Sequence, residues 1–399
     1  MTYRQTRLWL LVPFAFLVLL KIPGALAGRL WAEDALYFLD AMHLPWWQAL
    51  FVPHTGYIDL TASGAMLIAT RLSDLEQVGL LSVLLALLVQ LLPALLLITS
   101  RCSWLQSYWA LSAALLLVLV PPLTEEIWLS PVTSQYHLMV CSALLLALPT
   151  ETGWGFRWRT ALLALIAVSG PGPVLIAPLF ALRACLDRDW RRAVQAGLIC
   201  TGAVIEFLVI HYHQEPNRHL TIGVVLLLAV VCYKHVFIPV FGHLANAVMF
   251  GISHLTAALI GVLALFALGS VALLARGREV PWLFLAAVAM LMLSYIGALG
   301  ENKAGLLSIY YGQRYYYAPQ VLLGLALLGV AITGRYGQPL AMLALCWFLL
   351  IGCCEYWWVA PGMAHGPAWR EEIAQWRADP SHTIAVWPTS FAYRIRLPQ

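Results

Sequence analysis

Glu33, Asp34 and Asp40 fall within one acidic stretch, Trp31 to Asp40, and a fourth carboxylate, Asp59, follows Pro53, His54, Gly56 and Tyr57, in a chain only 11% charged. Acidic pairs set in apolar surroundings are poor anions: burial and a like-charged neighbour both raise a carboxyl pKa, which suits a base taking a proton from a hydroxyl. Asp34 or Glu33 is the candidate for that role, with His54, Tyr57 and Asp59 as polar neighbours that would line an acceptor or sugar pocket. A solvated acidic loop is the plainer reading of the same residues. A second constellation, Tyr310, Tyr311, Gln313, Arg314, Tyr315, Tyr316 and Tyr317, directly precedes a long apolar segment. A guanidinium makes permanent, bidentate contacts to phosphate, so Arg314 is the candidate phosphate ligand, with Lys303 and Arg71 as second choices for the same group. Its plainer reading is an aromatic belt with a snorkelling arginine. Glu125, Glu126, Gln135 and His137 bracket a further turn that would line the same pocket or sit in solvent.

The elements that must position these residues are membrane helices. The chain is 62% hydrophobic with a mean hydropathy of +0.81 over 399 residues, and its apolar runs exceed what a soluble core requires. Segments 8–27, 77–99, 105–122, 133–150, 159–169, 173–184, 194–212, 252–275, 281–299, 315–334 and 339–359 predict about eleven transmembrane helices in an all-α polytopic protein. Segments 57–71 and 221–240 are ambiguous, and basic residues arbitrate. If neither crosses, Arg4, Arg7, Arg101, Arg157, Arg159, Arg183, Arg188, Arg191, Arg192, Arg276, Arg278 and Arg335 all fall on the cytoplasmic side. Letting 57–71 alone cross would export the arginine clusters. Both are therefore expected as external amphipathic or re-entrant helices. The break Ser169-Gly-Pro-Gly-Pro173 predicts a water-accessible vestibule, since irregular backbone at depth must be buried in protein or line a cavity. The N-terminus is expected to be cytoplasmic, on an uncleaved first helix, and the C-terminus periplasmic. Residues 1–360 form the membrane domain, with a first external loop over 28–76, and 361–399 a short external tail in which Trp369–Arg377 is an amphipathic helix and His382–Pro388 a strand, packed as a lid.

The eight cysteines form no CxxC pair and read as small core residues. His211, His213, Glu215 and His219 hold ligand-type side chains without a metal-site spacing, so no metal is assigned; a divalent ion has no support in the sequence, and no cofactor is expected. P-loop, GxGxxG, GxSxG and HExxH motifs are absent, which removes the nucleotide and common hydrolase classes, and no nucleic-acid partner is expected.

The patterns Trp31-x-Glu33-Asp34-x-x-x-Phe38, Pro53-His54-x-Gly56-Tyr57 and Gln313-Arg314-Tyr315 resemble the GT-C superfamily of polytopic glycosyltransferases, in particular bacterial proteins of surface-polysaccharide assembly. The resemblance implies an inverting sugar transfer from a polyprenyl-phosphate donor on the periplasmic face of the inner membrane to a glycan, lipid or protein hydroxyl. It implies Asp34 or Glu33 as the base and Arg314, with Lys303 or Arg71, on the departing lipid phosphate. The large soluble domain and sequon-reading motif of oligosaccharyltransferases are missing. Two alternatives remain open at this point: a polysaccharide polymerase or O-antigen ligase, and a transporter or flippase for a lipid-linked sugar, for which Glu206 inside an apolar segment is the best residue.

Overall fold

The computed structural model describes residues 3–213, 221–298, 303–389 and 393–397. The chain is a mostly helical, multi-pass membrane protein. Among the described residues, seven helices are long and apolar enough to cross a bilayer: Leu75–Thr99, Trp190–Tyr212, Val224–Phe250, His254–Leu273, Glu279–Gly297, Gln313–Thr333 and Gln338–Glu355. Leu60–Leu72, Tyr108–Leu119 and Ser134–Ala147 are apolar but shorter. Small residues let these helices approach closely, as membrane helices require in the absence of a hydrophobic drive between them. A Cβ on Gly202 would lie 2.2 Å from the Ala167 carbonyl oxygen, and one on Gly329 2.5 Å from the Val280 side chain.

The bundle has two chemically distinct ends. At one, arginines close the carbonyl ends of helices, where cations are favoured. Arg7 donates to the Leu105 carbonyl at 2.9 Å, and Arg101 and Arg159 meet Glu151 at 3.1 and 3.5 Å. Arg192 donates to the carbonyls of Leu145 at 2.9 Å and Leu148 at 2.6 Å, at the end of helix Ser134–Ala147. Arg183 lies over the Trp282 ring. The opposite end gathers Glu33, Asp34, Glu125, Glu126 and Arg314.

Segment 221–240 falls in a run long and apolar enough to cross, interrupted part-way. Helix Trp190–Tyr212 starts among the arginines and so ends at the acidic end. Helix His254–Leu273 leads to Arg276, whose amide donates to the Thr333 carbonyl at the arginine end, and so begins at the acidic end. The 27-residue run Val224–Phe250 lies between these two helices in the chain. It is broken by a π-turn over Tyr233–Phe237. Ile238 N–H closes that turn on Tyr233 O, and the next residue, Pro239, has no N–H to offer Lys234 O. Gln320 Nε2 supplies the missing donor at 2.7 Å. The Lys234 ammonium, fully buried, donates to Ser308 O at 2.7 Å and Tyr311 O at 3.0 Å, pinning the loop that leads into Arg314.

The break at 169–173 does not stand open as a vestibule wall. It docks on residues 58–60 by main-chain bonds, Gly170 N to Ile58 O at 2.8 Å and Leu60 N to Val168 O at 3.1 Å. Gly170 has φ +91°, and a Cβ there would sit 2.4 Å from Gln135 Oε1, so both the turn and the contact need glycine. The tail forms helix Trp369–Ala378 and a two-stranded pair, Ile384–Ala385 with Arg394–Ile395. It packs on the stretch ahead of the acidic pair: Trp387 N donates to Leu30 O at 2.9 Å and Ala32 N to Trp387 O at 2.7 Å. Trp31, Phe38, Trp369, Ile373, Ile384 and Trp387 share one apolar cluster there.

Candidate functional site

Two helices aim their N-termini at the acidic end and lie side by side. Helix Asp34–His43 follows the first apolar segment, and Leu60–Leu72 is capped by Asp59, whose Oδ1 accepts from Ala62 N at 3.0 Å. Each N-terminus carries partial positive charge, which a carboxylate there complements.

The neighbouring acids Glu33 and Asp34 have different fates. Asp34 is 1% exposed, and its carboxylate is spent on the local fold. Oδ2 accepts from Trp31 N at 3.0 Å, and Oδ1 from Ser130 Oγ and Val132 N, each at 3.1 Å. Burial lifts its pKa to about 7 against the pull of those three donors, with Glu33 adding a smaller push. Asp59, fully buried, is likewise raised to about 7 by burial, opposed by its backbone donors. Glu33 turns the other way. Its Oε1 accepts from both Nη1 and Nη2 of Arg314 at 3.0 Å, across 281 residues of sequence.

Arg314 is thereby held between two carboxylates. Its Nε donates to Glu126 Oε1 at 2.7 Å, and Nη2 also contacts that oxygen. The Glu126 side chain is 5% exposed, against 18% for Glu33 and 21% for Arg314. Glu33 and Arg314 are thus the half-open members of the triad. Gln313 braces the far side: its Oε1 accepts from Glu126 N at 2.9 Å and its Nε2 donates to Glu125 Oε1 at 2.8 Å. Burial raises the Glu125 pKa, partly offset by Gln313, and Ala360 N gives Glu125 Oε1 a further bond at 3.2 Å.

Tyrosines ring this triad. Tyr136 lies within electrostatic reach of Arg314, Tyr315, Tyr57 and Glu126, and Tyr393 of the tail within reach of Glu33 and Arg314. Tyr315 meets Tyr136 edge-on at 6.4 Å. The Tyr57 hydroxyl accepts from Gln135 Nε2 at 3.0 Å. His54 pairs with Asp40 at 2.7 Å and packs on the Tyr37 ring at 4.3 Å. Tyr37 in turn feels Tyr57, Asp59, Asp34 and Glu33. The stretch from Trp31 to Asp59 and the Arg314 stretch therefore converge.

Other predicted residues lie elsewhere. Lys303 is buried and caps the end of helix Glu279–Gly297, donating to Ile296 O at 3.3 Å and to Ala298 O. Arg71 is in the last turn of Leu60–Leu72, about 18 Å along that helix from Asp59 at 1.5 Å per residue, in a surface groove with Pro45, Trp46 and Leu67. Its guanidinium donates to Leu44 O at 3.5 Å, just past the C-terminal end of helix Asp34–His43. His137 is fully buried between Trp128 and Tyr317, 4.7 and 4.9 Å from their rings, in the apolar core. Glu206, inside the span Trp190–Tyr212, accepts from Ile58 N at 3.4 Å. Glu215 and His219 lie outside the described residues; among the described ones, no three His, Cys, Asp or Glu side chains group to hold a metal ion.

Arg29 is the residue that motif reading passes over. It is 2% exposed, lies 5.3 Å from both the Trp31 and Trp387 rings, and donates to Trp128 O at 2.7 Å. Burial lowers its pKa to about 10, and the Asp34 charge opposes that. The available signal was its place two residues before Trp31, but its second tryptophan is in the tail. No protein-family model, curated protein or solved structure matches this chain.

Proposed function

We propose that this protein transfers a sugar from a polyprenyl-phosphate-linked donor to an acceptor hydroxyl, with inversion, at the acidic end of the bundle. The observation that carries the reading is the Glu33–Arg314–Glu126 triad: a partly open guanidinium beside a partly open carboxylate, ringed by tyrosines. When the donor phosphate takes the guanidinium, Glu33 is released from its ion pair and is left to accept from the acceptor hydroxyl. The acceptor oxygen attacks the anomeric carbon, its proton passes to Glu33, and the carbon–oxygen bond to phosphate breaks. The electron pair leaves with the polyprenyl phosphate, whose charge Arg314 stabilises. Glu33 takes the role of base because Asp34 is committed to Trp31, Ser130 and Val132.

The alternation of helices between the two ends supports about eleven passes and a GT-C-like arrangement. With the arginine end cytoplasmic, the triad faces the periplasm, the first helix starts inside, the tail lies outside, and the chain resides in the bacterial inner membrane. Transport has less support, because Glu206 is engaged by the Ile58 amide rather than lining a two-sided path.

The test is label transfer from a radioactive undecaprenyl-phosphate-sugar pool to cell-envelope acceptors by purified protein. Glu33→Gln is expected to lose at least about 100-fold in rate with its fold intact, the lower range for removing a general base. A Glu33→Gln protein as active as wild type refutes the assignment. Wild-type protein that moves no label refutes the reading as a whole.

A further inference from the structure

Helices Gln313–Thr333 and Gln338–Glu355 form a tight antiparallel hairpin, so the residues after Glu355 return to the same end as Arg314. Ala360 is tied there by its bond to Glu125, next to Glu126. Two residues earlier, Trp358 begins a set of near-parallel rings. His243 lies 5.9 Å from it at an interplanar angle of 6°, and Tyr310 lies 6.3 Å from it at 21°. Parallel rings in van der Waals contact are about 3.5 Å apart, so centroids near 6 Å mean that no ring eclipses its neighbour. The three form a stepped aromatic platform, with Trp358 at its centre and its two outer rings exposed. Tyr310 is 51% exposed and the His243 side chain 46%.

The platform is anchored. Glu355 Oε1 accepts from His243 Nδ1 at 2.8 Å and from His243 N at 3.2 Å. With Nδ1 engaged by the carboxylate, Nε2 is the ring nitrogen left to hydrogen-bond a ligand. Gly242 makes this approach possible: its φ is +59°, and a Cβ would lie 2.1 Å from Glu355 Oε1. Rings of a membrane-interface belt have no need of a buried carboxylate fixing their plane. A cage for a quaternary ammonium encloses the cation with rings on several sides, whereas these lie nearly in parallel.

We propose that Tyr310, Trp358 and His243 form a saccharide subsite that receives the acceptor glycan beside Arg314. A pyranose presents C–H bonds of partial positive charge on one face, which complement the negative face of an aromatic ring, and its hydroxyls find the His243 Nε2 and the Tyr310 hydroxyl. This names the acceptor as carbohydrate and rests on the transferase reading for its role, though not for binding itself.

The experiment is saturation-transfer NMR on the full chain in nanodiscs with maltohexaose, chitohexaose and mannohexaose as probes. Transfer to pyranose ring protons is expected for at least one probe, and Tyr310→Leu and Trp358→Leu should each weaken binding about tenfold, the scale of one good aromatic contact. His243→Phe keeps a stacking ring while removing Nε2, and should weaken binding less than Trp358→Leu. The subsite is overturned if wild type binds none of the three, if both leucine variants bind as wild type, or if added phosphocholine displaces the sugars. Binding without label transfer would leave the subsite standing and remove the transferase reading. Transfer without binding would do the reverse.

Discussion

Replacing Arg314 by alanine removes the one cation between Glu33 and Glu126. Its cost follows from burial. Glu126 is 5% exposed and would keep only the Lys234 charge, which is not in an ion pair with it; breaking a buried pair costs about 3–5 kcal/mol. Glu33, 18% exposed, recovers water and adds little. Arg314→Ala is therefore expected to destabilise the fold by about 3 kcal/mol, with Glu126→Gln in the same background restoring a large part of it. A double-mutant cycle on Arg314 and Glu126, read by tryptophan fluorescence during detergent-driven unfolding in mixed micelles, should give a coupling of about 2 kcal/mol, within the range for residues in one charged network. Costs that add to within about 0.5 kcal/mol, or an Arg314→Ala protein as stable as wild type, would refute this account. An inactive Arg314→Ala protein would by itself say little about phosphate binding, because the arginine also holds the site together. Arg314→Lys keeps a charge for Glu126 while losing the fork that matches a phosphate, and separates the two roles.

Asp34 and Asp59, both raised to about 7 in the fold, bind protons more tightly folded than unfolded. Their linked stability is therefore fully present below the unfolded value near 4 and is lost as pH rises toward 7. Thermal unfolding in detergent should shift upward as pH falls from 8 to 5, and Asp59→Asn should flatten that slope; a slope unchanged in the variant would exclude Asp59 as its source. Trp387→Ala removes a ring from the cluster that seats the tail and uncovers one face of Arg29. Loss of about 3–5 kcal/mol is expected for a buried tryptophan, read as proteolytic release of the tail ahead of the membrane helices; a tail as resistant as in wild type would contradict this.

The sequence by itself determined the helical membrane class, the gathering of arginines at one end and the amphipathic helix in the tail. These are consequences of local hydropathy and charge placement, which any window of residues carries. It also marked Glu33, Asp34 and Arg314 as unusual. Only the tertiary structure gave Glu33 and Asp34 their different partners, because adjacent residues at a helix start point in different directions, and Arg314 for one and Ser130 with Val132 for the other come from remote segments. The same holds for Lys303, an interface cation by composition and a helix cap in space, and for Arg71, carried away from Asp59 by the length of its own helix. Arg29 completes the contrast: its environment is built from the first loop and the tail at once, and no local pattern encodes a contact between the two ends of a chain.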